Sequence, residues 1–321
     1  MRRFLVILAA LALLAGAGAY WLLWARPGPA DGPHTVIVEE GSSLARVAGQ
    51  LAEIGAVPGT GGTFRGMARI FGSGDPIQAG EFTIPAGATG GQVLDILQHG
   101  RPVQRLVTIP EGMPSVLVHD KLMAAPFLTG SVAVPAEGSV LPDSYAYQRG
   151  ESRAAVLGRM QAAMAKELDR LWQGRKPTSV VTSKADAVTL ASVVEKETGK
   201  PSERRMVAGV YSNRLRIGMK LDADPTVIYP VTRGRPLGRR ILRSELRADN
   251  GYNTYAKPGL PAGPIANPGR ESIAAVLDPA PTRAIYFVAD GTGGHIFAET
   301  LAEHNANVRK WFALRRARGE M

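Results

Sequence analysis

Two glutamates near the end of one predicted helix have the residue type and position for acid–base chemistry. The segment 186–199 (DAVTLASVVEKETG) predicts a helix that ends at a glycine cap and whose buried stripe is marked by Ala187, Leu190, Ala191 and Val194. At about 100° per residue, Glu197 falls about 20° from Leu190, whereas Glu195 lies about 100° from the middle of the stripe. A carboxyl held against an apolar face has a raised pKa and can donate a proton near neutral pH. The segment therefore predicts a general acid, although the same residues also suit a solvated helix end.

Loops downstream of this helix combine aromatic rings with amide and hydroxyl groups. A second helix is predicted over 203–219, and a loop is predicted to begin within 221–229 (LDADPTVIY). Sugars present apolar ring faces that stack on aromatic side chains and hydroxyl groups that bond to amides. These loops predict a saccharide groove built from four segments: YNTY (252–255), GLPAGPI (259–265), NPG (267–269) and the hairpin YFVADGTGGHIF (286–297).

The elements before this region predict a small αβ module. A strand over 34–39 is followed by a turn, an N-cap at Ser43 and a helix, and a second strand over 80–84 precedes a short helix that ends at Gly100. This order of elements is similar to a LysM module. Between 104 and 184, Leu157, Met160, Met164, Leu168 and Leu171 recur at helical spacing and predict a core helix.

The N-terminus predicts a membrane anchor. An uncharged run over 4–25 covers 22 residues, enough for a helix at ~1.5 Å per residue to cross a ~30 Å hydrocarbon layer. Small residues at 15–19 leave a cleaved signal peptide as the alternative. Trp21 and Trp24 favour the anchor, since tryptophans concentrate at membrane interfaces. Arg2 and Arg3 then place the N-terminus in the cytoplasm and the rest of the chain in the periplasm.

Composition narrows the remaining classes of function. Lys and Arg number 38 against 28 Asp and Glu, a formal charge of +10, which favours a polyanionic neighbour. The chain has no cysteine, so disulfides, thiolate metal sites and cysteine nucleophiles are excluded. Its five histidines form no HExxH or other short-spaced pair, and no GxSxG segment is present. We expect no metal, no cofactor and, given the export topology, no nucleic-acid partner.

Seven motifs follow one another along the second half of the chain: ASVVEKET (191–198), NRLRIGMKL (213–221), DPTVIY (224–229), YNTY (252–255), GLPAGPIANPG (259–269), YFVADGTGGHIF (286–297) and EHN (303–305). Together they resemble the YceG-like endolytic murein transglycosylases. The resemblance covers essentially the whole chain, with small departures at Asp222-Ala223, where the family has Gln-Thr, and at Pro230, where it usually has Gly.

The resemblance implies an α+β fold with four parts: a cytoplasmic N-terminus and transmembrane helix (1–26), a linker (27–33), a LysM-like module (34–103) and a larger lysozyme-like catalytic domain (104–321). It also implies a single-pass inner-membrane lyase of cell-wall biogenesis. This enzyme would cut the MurNAc-β-1,4-GlcNAc bond within nascent peptidoglycan strands, leave 1,6-anhydro-MurNAc ends and so terminate elongation. Expected partners are glycan strands, the inner membrane, and penicillin-binding proteins or other wall synthases.

The family places its catalytic glutamate in the VEKET segment. We expect Glu197 to be the acid, with Glu195 as the alternative, because Glu followed by Thr at a helix end is similar to the acid of goose-type lysozymes. A transglycosylase needs one carboxyl, since the 6-hydroxyl of the sugar replaces water as the nucleophile. The residues expected to contact substrate or orient the acid are Asp224, Tyr229, Tyr252, Asn253, Tyr255 and His295. The competing hypothesis is a non-catalytic peptidoglycan-binding scaffold for wall synthases.

Overall fold

The computed structural model describes residues 2–320, which divide into two compact units of a mixed α+β fold. The first unit comprises residues 2–105 and 146–150, and the second comprises 106–145 and 151–320. Within residues 2–320, the strands form three two-stranded sheets: β1 (His34–Val38) with β2 (Gly80–Ile84), β3 (Arg105–Thr108) with β4 (Ser144–Tyr147), and β5 (Tyr286–Ala289) with β6 (His295–Ala298). Strands β3 (Arg105–Thr108) and β4 (Ser144–Tyr147) lie where the chain passes from one unit to the other.

The first unit contains an apolar N-terminal helix and a small αβ module. Strands β1 and β2 are antiparallel, with Val36 opposite Phe82. Ser43 caps α2 by accepting a hydrogen bond from the backbone N–H of Arg46. The elements are α1 (Arg2–Tyr20), which continues as a π-helical turn (Trp21–Ala25), β1 (His34–Val38), α2 (Leu44–Glu53), α3 (Gly61–Phe71), β2 (Gly80–Ile84) and α4 (Gly90–His99).

Two features of this unit differ from the sequence-based predictions. Helix α3 was not predicted, because GGTFRGMARIF opens with two poor helix formers. A Thr60–Thr63 capping box and the burial of Phe64 in the core stabilise it. The prediction that both tryptophans face the membrane interface is wrong for Trp24, which is only 6% exposed and belongs to the module core.

The second unit is mostly helical and is built around α7. Strands β5 and β6 form an antiparallel hairpin. Its elements are α5 (Ser115–Ala124), α6 (Arg153–Gln173), α7 (Lys184–Glu197), α8 (Arg204–Arg216), α9 (Asp224–Thr232), α10 (Arg243–Arg247), α11 (Arg270–Leu277), β5 (Tyr286–Ala289), β6 (His295–Ala298) and α12 (Leu301–Ala317).

Helix α7 is buried on every side rather than along one stripe. All residues from Ala187 to Val194 are buried, and the helix contacts α8, α9 and α11. A helix that is apolar all round lies inside the protein. Glu195 and Glu197, at the C-terminal end of α7, therefore extend from a helix that is packed on all sides.

Three predicted boundaries in this unit are corrected by the structure. Helix α7 ends at Glu197 with Thr198 as its C-cap, so Gly199 is not the cap. Helix α8 ends at Arg216 rather than at Met219. The segment predicted to begin a loop forms α9, because Pro225 occupies the first turn, where the missing N–H of proline costs nothing.

Candidate active site

Glu197, the last residue of α7, has an environment that favours its protonated form. Burial raises the pKa of its carboxyl to about 7, and the nearby Asp224 carboxylate adds to this increase. Two groups of α8 oppose it: the Tyr211 hydroxyl donates a hydrogen bond to the charged form, and Arg214 attracts its negative charge. A carboxyl with a pKa near 7 can both donate and accept a proton at neutral pH.

Tyr211 and Arg214 lie on the same face of α8, three residues apart, and both are buried. Burial raises the pKa of Tyr211 well above its ordinary value, so its hydroxyl remains a donor. Arg214 donates hydrogen bonds to the carbonyls of Ile285 (2.7 Å) and Leu221 (2.6 Å). Arg214 therefore fixes the segment before α9, at Leu221, and the segment before the β5–β6 hairpin, at Ile285.

Asp224 begins α9 and is exposed near Glu197. Its carboxylate accepts a hydrogen bond of 2.7 Å from the Tyr255 hydroxyl. The two segments are fixed together by a buried pair of hydroxyls, Thr226 and Thr254, 2.8 Å apart. Burial, followed by the Asp224 contact, raises the pKa of Tyr255. Asp224 and Tyr255, both expected from the sequence, therefore lie within electrostatic range of Glu197.

Glu195 lies in a different environment from the one its helical phase predicts. Its side chain is 5% exposed, and Oε1 lies 3.2 Å from Arg204. Oε2 accepts a hydrogen bond of 2.9 Å from the backbone N–H of Gly269. Arg204 also binds Glu111, at 2.6 Å. Both oxygens of Glu195 are thus engaged in contacts that hold α7, α8 and the start of α11 together.

Tyr229 and Tyr252 form an aromatic pair with ring centroids 5.0 Å apart. The Tyr229 hydroxyl bonds to Glu137, a partly buried carboxyl that also accepts from the backbone N–H of Ser115 at 2.8 Å. Burial raises the pKa of Glu137. Glu137 was not predicted as a site residue, because the sequence around it (VAVPAEGSVLP) has no pattern that indicates a buried carboxyl.

Asn253 lies inside the YNTY loop rather than on its surface. It is 2% exposed, and its amide nitrogen donates to the backbone carbonyls of Glu245, Leu246 and Ala248 at 2.8–3.1 Å. Its side-chain oxygen accepts from the N–H of Tyr255. These contacts give Asn253 a structural role, that of holding the loop that carries both tyrosines, and its contact with substrate stays a prediction.

His295 begins β6 and is bound to Glu203, just before α8. Its Nδ1 lies 2.8 Å from Glu203 Oε2, and its backbone N–H donates to Oε1 of the same carboxyl. The His295 ring packs edge-on against Phe287 at 5.1 Å, and Phe287 contacts Tyr211 at 5.7 Å. His295 is thus linked through the Phe287 ring to Tyr211, the hydrogen-bond partner of Glu197.

The arrangement brings Glu197, Asp224 and Tyr255 together with two residues that sequence analysis did not assign to the site, Tyr211 and Arg214. The sequence placed both residues only within the helix predicted over 203–219 and indicated a role for neither. A hydroxyl within an apolar stripe is the signal that could have indicated Tyr211. Across residues 2–320, no group of three or more His, Asp or Glu side chains is arranged to hold a metal ion.

A family model described as the YceG-like family matches residues 36–310. The chain belongs to the YceG-like family.

Two relatives are each named an endolytic murein transglycosylase. The protein of Bacillus subtilis is 32% identical over 179 residues, covering 56% of this chain and 49% of the relative. That of Streptococcus pneumoniae serotype 2 is 31% identical over 178 residues, covering 54% of this chain and 31% of the relative. The chain thus spans half or less of the length of these relatives. A crystal structure of a YceG-like protein from Listeria monocytogenes aligns with a TM-score of 0.52 and 26% identity, covering 86% of this chain and 98% of that one.

Proposed function

We propose that this protein is an endolytic peptidoglycan lytic transglycosylase, a carbon–oxygen lyase that cuts the MurNAc-β-1,4-GlcNAc bond within glycan strands. The observation that carries the proposal is the Glu197 carboxyl, with its pKa raised to about 7 at the end of a buried helix. The names of the two relatives support the same reaction.

Glu197 begins the reaction by donating its proton to the glycosidic oxygen as the bond from that oxygen to C1 breaks. The 6-hydroxyl of the same MurNAc then attacks C1 and closes the 1,6-anhydro ring. Its proton passes to the Glu197 carboxylate, which restores the starting state without water. During this cycle the Tyr211 hydroxyl stabilises the carboxylate form by hydrogen bonding. Asp224 places a negative charge where positive charge develops on the sugar ring.

Glu195 is poorly suited to the role of acid because both its oxygens are already engaged. A proton on either oxygen would remove an acceptor from Arg204 or from the Gly269 N–H, which would leave a buried charge or donor unsatisfied. This argument favours Glu197 over the alternative that the sequence left open.

The glycan is proposed to lie across the tyrosines of α9 and the YNTY loop. Tyr229, Tyr252 and Tyr255 supply aromatic faces and hydroxyl groups, and Asp224 lies among them. His295 is assigned to a more distant subsite or to orientation, given its bond to Glu203. Asn253 contributes through the loop that it holds.

The proposed setting is the bacterial inner membrane. Within residues 2–320, one helix, Arg2–Ala25, is long and apolar enough to span a bilayer. We propose a cytoplasmic N-terminus, a LysM-like module at 34–103 and a periplasmic, lysozyme-like catalytic domain at 104–321, acting on nascent strands beside penicillin-binding proteins or other wall synthases. The cleavage would terminate strand elongation.

Mass spectrometry of the fragments released from purified sacculi by the detergent-solubilised full chain tests the reaction. We expect the released fragments to carry new 1,6-anhydro-MurNAc ends, produced by cleavage within the strands. We expect Glu197→Gln to lower the rate at which these ends form by ~10² to 10⁴. Glu271→Gln, an exposed change in the same unit, is the matched control. Reducing MurNAc ends would instead indicate a hydrolase with Asp224 as its second carboxyl, and the absence of any cleavage would favour the scaffold hypothesis.

A further inference from the structure

The C-terminal end of α3 carries exposed apolar side chains next to the N-terminal apolar helix. Ile70 is 71% exposed and Phe71 47% exposed, whereas Phe64, Met67 and Ala68 of the same helix are buried. The Phe71 ring packs edge-on against Tyr20, with centroids 4.8 Å apart. Trp21 and Leu22 are also exposed. These residues, Tyr20, Trp21, Leu22, Ile70 and Phe71, form one apolar surface, which we call the α3 foot.

The α3 foot is attached to the apolar helix by a packed joint. Trp24 lies in the module core, 5.8 Å from the Phe64 ring. A Cβ atom on Gly90 would lie 2.9 Å from the Trp24 ring, so the start of α4 approaches this ring as closely as a glycine allows. The module and the end of the apolar helix therefore share one core.

The order of these contacts fixes the direction of α3. Tyr20 lies beside Phe71, whereas Trp24, one turn further along the chain, lies beside Phe64, nearly two turns earlier in α3. Helix α3 therefore runs back along the apolar helix, and its C-terminal end points in the direction from which the chain emerges. In a membrane-spanning arrangement that direction is the bilayer.

The depth of the contact places the foot at lipid level. From Phe4 to Tyr20 the helix rises about 24 Å at ~1.5 Å per residue, whereas the hydrocarbon layer is ~30 Å thick. A side chain level with Tyr20 therefore lies near the boundary of the hydrocarbon, where aromatic and aliphatic groups are stable. An exposed isoleucine and phenylalanine at that level are unfavourable in water and favourable in lipid.

The positive charge of α3, with Arg69 in its last turn, is complementary to phospholipid headgroups. Arg65 and Arg69 are exposed, and the sequence of α3 (GGTFRGMARIF) contains no acidic residue. Arginine side chains extend their charge toward headgroup phosphates while their stems cover apolar surface.

We propose that the α3 foot is a second membrane contact, in which Ile70 and Phe71 insert into the interface of the leaflet from which the apolar helix emerges, while Arg69 binds lipid phosphate. This inference rests on the proposed membrane anchoring. The module would then contact the membrane at two points, the apolar helix and the α3 foot. The second contact would limit the tilt of the module relative to the bilayer.

The absence of cysteine from the natural sequence allows a direct test with single spin labels. Full-length Ile70→Cys, Arg65→Cys, Glu53→Cys and Leu14→Cys variants are labelled in vesicles of phosphatidylethanolamine and phosphatidylglycerol, and accessibility to oxygen is compared with that to a water-soluble nickel complex. Glu53 is the aqueous control: it is exposed at the end of α2, whose middle packs on the start of α3 where Gly61 approaches Ala48. Leu14 reports on the span itself.

We expect the oxygen-to-nickel ratio at position 70 to approach that at position 14 and to exceed that at position 53 several-fold. The ratio at position 65 should lie between those at positions 53 and 70. A ratio at position 70 equal to that at position 53, with position 14 buried in lipid, would overturn this inference and leave the anchor intact. Free nickel access at position 14 would overturn both the anchor and the foot.

Discussion

Glu195 and Glu197 are two residues apart on α7, yet their carboxyls meet opposite environments. Glu195 turns toward Arg204 and the Gly269 N–H, where its charge is compensated. Glu197 turns toward Tyr211 and Asp224, where burial and a second carboxylate disfavour its charge. The first arrangement stabilises the fold, and the second favours the protonated form of the carboxyl. The difference arises from what the neighbouring helices present, and helical phase alone does not reveal it.

Conservative changes around Glu197 should move its pKa in opposite directions. Tyr211→Phe removes a donor that favours the charged form, so we expect the pKa of Glu197 to rise; Asp224→Asn removes a repelling charge, so we expect it to fall. NMR titration of the Glu197 side chain measures both shifts. Since the acid must be protonated, the alkaline limb of kcat/KM should move upward and downward respectively. Shifts of the same sign in both variants would contradict this account of the site.

The raised pKa of Glu197 should also lower stability at alkaline pH. The folded value is about 7 and the ordinary value 4.5, so the folded state binds more protons than the unfolded state between these values. Stability is therefore lost as pH rises through this window. The upper limit of the loss is about 3 kcal/mol, and contact of the carboxyl with solvent makes the loss smaller.

Glu197→Gln should therefore be more stable than the unchanged chain above pH 7 and similar to it near pH 4.5, as measured by denaturant unfolding at both values. Glu271→Gln serves as the control for a carboxyl on the surface. A Glu197→Gln variant that is no more stable than the unchanged chain at pH 8 would show that the site does not disfavour the charged form of Glu197.

At the scale of elements, the YNTY loop is positioned by a few buried polar groups. Asn253 binds three backbone carbonyls that end α10, and the Thr254 hydroxyl meets Thr226 of α9. These contacts place Tyr252 and Tyr255 on the side of the loop that faces α9. Loop order is thus maintained by residues that need not touch substrate.

Asn253→Ala should lower stability, because it leaves three carbonyls without their amide partner at a cost of about 1–3 kcal/mol. Tyr252→Ala should instead reduce turnover of long glycan strands while changing the melting temperature less. Thermal unfolding and strand-length-resolved product analysis of the two variants separate these effects. If Asn253→Ala retained the original melting temperature but lost activity, Asn253 would act directly on the substrate.

Elements with local signals were predictable from the sequence. The strand predicted over 34–39 and the Ser43 cap indicated β1 and α2, and the apolar spacing of Leu157 and Met160 indicated α6. Helix α3 was missed because its stability comes from burial of Phe64 rather than from local propensity. Helix α9 was missed because Pro225 was taken as a loop signal when it occupies the first helical turn.

The site was predictable in its residue types and only partly in its geometry. Glu197, Asp224 and Tyr255 were indicated by motif and by chemistry. Tyr211, Arg214 and Glu137 were not, because their importance depends on contacts with residues distant in the chain. The burial of Glu195 was unpredictable for the same reason: α7 is covered on all sides, so no single stripe defines its interior.

At the scale of the whole molecule, Trp24 joins the apolar N-terminal helix to the folded module. Its ring is 6% exposed and packs on Phe64, with Gly90 leaving room for it. Residues that a linear division of the chain assigns to a membrane helix therefore complete the core of the module. Removal of the helix should affect folding as well as attachment.

Trp24→Ala in the full-length chain should destabilise the first unit by about 3–5 kcal/mol, the usual cost of truncating a buried aromatic side chain. Hydrogen exchange at the amides of β1 and β2 in detergent measures this effect, because their protection reports on opening of the module core. Trp21→Ala is the matched control, since Trp21 is 59% exposed and its loss should change protection little. Amides of α7 should remain protected in both variants, because α7 has its own core. Equal loss of protection in the two tryptophan variants would show that the helix end does not form part of the module.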